Sequence, residues 1–194
     1  MMVKQERAAR TRQALIRAAA EVFAEEGFAL ASLSMISRRA GVSNGALHFH
    51  FESKKALADV VQMEAAAAVT RMTDRAETAD GALQVLVDAT HGLMSRLADD
   101  NIVRAGFELC GDPARGDGVD LRRQWQHWIE NILGRAEQEG LLADGVSPDS
   151  AAPAIVAATV GFEVLGFRDP EWLSEQKIIR FWELLLPRLA GGEA

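Results

Sequence analysis

Apolar residues recur at steps of three and four along almost the whole chain, and strictly alternating runs are missing. Between residues 7 and 26, Leu15, Ala18, Ala19, Val22 and Phe23 share one helical face, and Gly27 stands where a helix C-cap belongs. Ser32 is placed to cap a short second helix carrying Leu33, Ile36 and Ala40, which Gly41 ends, and Ser43 to cap a third of about two turns. A fourth runs from about Ser53 through "KKALADVVQMEAAAAVTRMTDRA", with no proline or glycine before Gly81. Further helices are predicted at about 81–98, 101–109, 119–139, 148–167 and 171–190. The turn-forming stretches "CGDPARGDGVD", "ADGVSPDS" and "RDP" separate them, and Pro148 suits a first helical position. Pro153 falls in the early turns of its helix and Pro187 disturbs the last one. The pattern predicts an all-α protein of about nine helices, with a three-helix head over 1–52 and a larger helical body over 53–194.

Composition narrows this picture only where it is uneven. The net charge is −7, yet the residues through Lys55 hold nine Lys/Arg against five Asp/Glu, a local +4, so that the others carry −11. A cationic head on an acidic body suits a protein that offers one end to a polyanion. No apolar run approaches the roughly 20 residues of a membrane span, and no secretory signal opens the chain, so a cytoplasmic protein without a membrane partner is expected. The single cysteine, Cys110, and four scattered histidines give no metal-ligand spacing, and neither a metal nor a cofactor is expected.

The head carries the chemistry. A short helix, the turn "AGVS" and a second short helix form the helix-turn-helix pattern, with Gly41 supplying a positive φ and Ser43 the cap. The second of these helices would enter the major groove of double-stranded DNA. Ser43, Asn44, Ala46 and His48 then face base edges or phosphates, and Gly45 lets the backbone come close. His50, Lys54 and Lys55 on one side, with Arg38 and Arg39 on the other, border it with cations. Leu47, Phe49 and Phe51 are read as its core-facing side.

The stretch "LSMISRRAGVSNGALHFHFESKKAL" resembles the DNA-binding segment of the TetR family of bacterial regulators. The likeness is carried by Ile36, Ala40, Gly41, Val42, Ser43, Gly45, His48, His50, Phe51, Lys54 and Leu57. His48 departs from the tyrosine usual in the family, a phosphate donor; histidine keeps a donor there and adds sensitivity to pH. "QERAARTRQALIRAA", "IVRAGFEL" with Arg104, Ala105 and Gly106, and the tryptophan of "RRQWQHWIENILGRAEQEGLL" resemble the gamma-butyrolactone receptor branch, which includes true receptors and pseudo-receptors that answer to antibiotics or intermediates. The resemblance implies a ligand-responsive repressor of antibiotic biosynthesis, bound to a palindromic operator and released by a gamma-butyrolactone-like signal or an antibiotic. It also implies that Trp125 lines the ligand cavity of a ligand-binding and dimerisation domain.

By composition alone Trp125, Trp128, Phe107 and Phe162 could equally fill a core. The resemblance makes them candidates for a ligand site, with Thr90, Gln124 and Thr159, besides His127, as its polar groups. The small residues of 151–166 and the apolar "KIIRFWELLLPRL" predict that the last two helices pair with their copies in a homodimer. Two other readings are a repressor of a drug-efflux gene, whose pocket would use buried Glu108, Glu130 or Glu163, and a constitutive DNA binder with a filled cavity. No catalytic residues are identified: there is no phosphate loop, nucleophile elbow or HExxH, and Ser43 sits at a helix cap.

Overall fold

A computed structural model describes residues 2–77, 81–112 and 118–191. Among the described residues there are nine α-helices and no strands: α1 (Met2–Leu30), α2 (Leu33–Arg39), α3 (Asn44–His50), α4 (Lys54–Ala76), α5 (Ala82–Asp99), α6 (Asn101–Gly111), α7 (Leu121–Gln138), α8 (Pro148–Gly166) and α9 (Glu175–Leu189). The middle of the expected loop "CGDPARGDGVD", residues 113–117, lies outside the described residues.

The helices divide by packing into two units, and the division does not follow the expected boundary at 52/53. One unit takes α1, α2, α3, α4 as far as Ala68, and also α6; the other takes α4 from Val69 on, α5, and everything from Arg122 onward. The reason is that α6 packs along α1, so that Ala105 and Leu109 join Leu15, Ile16, Phe23, Ile36, Leu47, Phe51, Leu57 and Val61 in one apolar core. An amphipathic three-helix head leaves apolar surface on α1 uncovered, and a fourth wall buries it. Gly106 sets how close that wall comes: a Cβ placed on it would lie 2.4 Å from the Ala65 Cβ and 2.9 Å from Leu121 Cδ1.

In the second unit α5 packs against α8, α9 and a single 3-10 turn, Pro170–Leu173. That turn corrects the expected final helix at 171–190. Asp169 accepts from the Glu171 N–H at 3.1 Å, Leu173 is buried, and a Cβ on Gly166 would meet the Leu173 side chain at 2.4 Å. Ser174 then returns to extended backbone (ψ 141°) before α9 begins. Ser147 and Ser150 form a capping box at the start of α8, which continues through Pro153. By length and apolar composition α8 meets the test for a membrane-crossing helix, contrary to the expectation that no stretch would. It is a wall of the second unit, with Ile155, Thr159 and Glu163 buried and Val164 and Leu165 exposed.

Replacing Gly106 by alanine inserts a methyl where none fits. The variant is expected to lose roughly 1–3 kcal/mol of stability, read from its urea midpoint, while alanine at the open Gly134 serves as the control.

Candidate nucleic-acid interface and effector cavity

The head is built by local chemistry that the sequence advertises. The Ser32 hydroxyl accepts from the Met35 N–H at 3.2 Å and starts α2. Gly41 turns the chain at φ 67°, and the Ser43 hydroxyl accepts from the Ala46 N–H at 3.2 Å to start α3. Leu47 and Phe51 plug α3 into the core. Asn44, Gly45, His48 and Phe49 form the exposed stripe opposite, with Ala46 and His50 half-buried at its edges. Asn44 is braced, since its side-chain oxygen accepts from the Ser37 hydroxyl of α2.

Three residues differ from their expected settings. Phe49, read as core-facing, is 80% exposed. The helical period explains it: 47 and 51 are one turn apart on one face, and 49 lies about 200° round from 47. Lys54, expected at a phosphate, is instead turned inward. Its ammonium donates to the carbonyls of Phe28 at 2.6 Å and Ala31 at 2.8 Å, with Ala29 at 3.4 Å, and rides 4.4 Å above the Phe28 ring. Arg39 is held by Glu25 at 2.7 Å and Glu21 at 3.2 Å, whereas Arg38 and Lys55 are exposed beside the stripe. The hydrogen bond from Arg39 holds the Glu25 carboxyl below its ordinary 4.5, and Glu25 in turn pushes the guanidinium up. Ser37 and the Lys54 carbonyl cradle were not among the sequence candidates, because both act through partners on other helices.

In the second unit, Gln124, Trp125 and Trp128 of α7 meet Val69, Thr70, Thr73 and Asp74 of α4 around a cavity of about 420 Å³, which His127 and Asn131 also line. The two indoles stack at 5.0 Å with 16° between their planes. Trp125 is buried and its N–H donates to the Thr159 hydroxyl at 3.0 Å, which itself donates to the Ile155 carbonyl. Gln124 donates to Thr70 at 2.9 Å, and the Trp128 N–H to Glu77 at 3.1 Å. Thr159 therefore reaches the cavity's wall through Trp125. The other candidates lie elsewhere: Thr90 is buried with its hydroxyl on the Leu86 carbonyl, Phe162 belongs to a ring cluster with Trp172 and Phe181, and Phe107 is buried on α6 in the first unit. The walls contributed by α4 carried no sequence signal beyond two threonines three residues apart.

A helix-turn-helix with its reading stripe exposed, carried by a helical body, defines a DNA-binding transcriptional regulator. Comparison with known proteins agrees. The profile of the bacterial regulatory proteins, tetR family, matches residues 15–61. The A-factor receptor protein of Streptomyces griseus is 31% identical over 193 residues, 97% of this chain and 67% of that one. A solved gamma-butyrolactone receptor (ArpA-like protein) superimposes with a TM-score of 0.80 at 28% identity, covering 95% of this chain and 90% of that one. A structure solved for the control of antibiotic production by bacterial hormones gives a TM-score of 0.79 at 28% identity over 93% and 98%. The chain belongs to the TetR family, and its likeness within that family runs to the gamma-butyrolactone receptors. Such relatives are DNA-binding regulators and not enzymes.

Two measurements test the head. Lys54→Met is expected to lower the urea stability by about 1–3 kcal/mol, through the carbonyls it abandons, while leaving the salt dependence of DNA binding unchanged; a flatter salt slope would return Lys54 to a phosphate. Because the folded Glu25 carboxyl titrates below its unfolded value, its contact with Arg39 stabilises the head above that unfolded value and is lost as the pH falls through the folded one. The melting difference between wild type and Glu25→Gln should thus be present at neutral pH and close in acid.

Proposed function

We propose that the protein is a cytoplasmic, homodimeric repressor that binds a palindromic operator through α3 and controls antibiotic biosynthesis. A gamma-butyrolactone-like signal, or an antibiotic or its intermediate, releases it. The operator contacts fall to Arg38, Ser43, Asn44, Gly45, Ala46, His48 and His50. Trp125, Trp128 and Gln124 form the effector site, with Thr159 setting the Trp125 indole.

The observation that carries this reading is the cavity beside the stacked indoles. A constitutive binder needs that space filled, whereas about 420 Å³ with aromatic walls and a few oriented polar groups suits a small effector. One of its walls is α4, an unbroken helix whose first residue, Lys54, holds the end of α1. A ligand that favours one setting of α4 biases the head by its differential affinity for the two settings. The similarity to a receptor for A-factor, and to structures solved for gamma-butyrolactone reception and hormonal control of antibiotic production, supports the effector class and the regulated process.

The drug-efflux alternative needs a buried carboxylate left for a cationic ligand. Glu163 is buried, but its two oxygens accept from Arg122 at 2.8 and 2.9 Å. Glu130 is exposed and accepts from Gln126, and Glu108 is half-buried on α6. None favours that reading.

The homodimer is assigned to α8 and α9, where Val164, Leu165, Ile179 and Leu184 are exposed. Carboxylates there are expected to split it. Leu184→Glu should sediment as a monomer and bind operator on the order of 100-fold more weakly, since each head alone loses the second half-site. The function itself is checked by footprinting the protein on DNA upstream of its gene, with and without extract of the producing culture. Protection of a palindrome that the extract removes is the expected result; protection that no extract or lactone relieves, with Trp125→Ala behaving as wild type, would sink the effector site.

A further inference from the structure

Phe49 is the one large apolar side chain on the exposed stripe of α3, and neither the helix-turn-helix pattern nor the effector reading gives it a task. Single exposed apolar residues are ordinary on protein surfaces; what distinguishes this one is its place. It lies one turn beyond Gly45 on the same face, with the exposed His48 and Asn44 further round the helix to one side. It is 80% exposed, while its neighbours in sequence order, Leu47 and Phe51, are buried. Its ring meets the half-buried His50 ring edge-on, with centroids 5.1 Å apart and planes at 85°, so it is braced from one side only. Below it Gly45 offers open space, the nearest atom to a Cβ there being the Ser43 hydroxyl at 4.0 Å. A groove wall can therefore come close to the backbone at Gly45 and meet the Phe49 ring one turn along.

We propose that Phe49 determines operator specificity by packing its ring on the 5-methyl group of a thymine in the major groove, once in each half-site. A phenyl ring has no donor for a phosphate oxygen, and phosphate contacts carry no sequence information. Among the groups that bases display in the major groove, the thymine methyl is the apolar one, and contact with it distinguishes thymine from cytosine or uracil. The polar members of the stripe, Asn44 and His48, lie together to one side of the ring and fix the register in which it meets that methyl. The inference rests on α3 being the reading helix, and its test separates the two ideas.

Duplexes that bind the full-length protein are selected from a random pool, and each thymine of the selected site is replaced in turn by deoxyuridine, which removes only the methyl. Wild type is expected to lose affinity about four-fold at one thymine per half-site, and on the order of ten-fold when the symmetric pair is replaced. Phe49→Ala should bind thymine and deoxyuridine duplexes equally, with an unchanged urea midpoint because the side chain contributes nothing to the core. Phe49→Tyr, which keeps the ring, should retain the methyl dependence. If wild type is indifferent to every methyl, or if Phe49→Ala keeps the same dependence, the assignment is overturned while α3 stays the reader. If no duplex is selected, the reading of α3 itself fails, and the assignment with it.

Discussion

An ammonium group in a cradle of carbonyl oxygens holds the head together. Where α1 ends, its last carbonyls have no helical partners, and Lys54, from the first turn of α4, takes those of Phe28 and Ala29 together with that of Ala31 just beyond the helix. The contact is charge-assisted and partly shielded from water, which strengthens it, and the Phe28 ring beneath adds a cation–π term. Gly27, at φ 73° and ψ 169°, breaks the helix so that these carbonyls converge, and Asp112 accepts from the Ala29 N–H at the same bend. The end of α1, the approach to α2 and the start of α4 are thereby tied at one point. The geometry with which α3 is presented depends on that tie.

What could be read in advance divides along the distance between partners. Gly41, Ser32 and Ser43 act on residues within three positions, so their chemistry is written locally and the helix-turn-helix was legible in detail. Phe49 was legible in principle, since the helical period alone places it opposite Leu47 and Phe51, but three neighbouring apolar residues read as one core segment. Lys54 finds its acceptors 23 to 26 positions away, and no spacing announces that. The same holds for the body. Trp125 and Thr159 are 34 positions apart and Arg122 and Glu163 are 41, so composition could not separate a pocket wall from a core, nor show which carboxylate already had its cation. The α6 helix was foreseen but not its allegiance to the head, because what decides that is the missing side chain of Gly106 against Ala65.

One turn before the cavity-lining Trp125 on α7, Arg122 pairs with the buried Glu163 of α8. The carboxylate is 1% exposed and takes two hydrogen bonds from the guanidinium, which is the arrangement that makes burying it tolerable. Removing Arg122 would take from the buried Glu163 carboxylate the cation that donates to both its oxygens, a destabilising change. The pair ties α7 to α8 with directional contacts, and Trp125 with Thr159 ties them again one turn along. The same helix, α7, is joined to α4 on the cavity side, by Gln124 on Thr70 and, just past the end of α4, by the Trp128 N–H on Glu77.

The tryptophans have an optical consequence. The chain has four, at 125, 128, 172 and 182, and no tyrosine, and all four belong to the unit that holds the cavity. Intrinsic emission excited at the red edge of the near ultraviolet reports that unit alone, and its stacked indole pair gives circular dichroism that depends on their mutual angle. The DNA-reading unit is spectroscopically silent at those wavelengths. Its unfolding registers only in the far-ultraviolet helical signal, so the difference between the two melting curves measures how strongly one unit's stability is coupled to the other's.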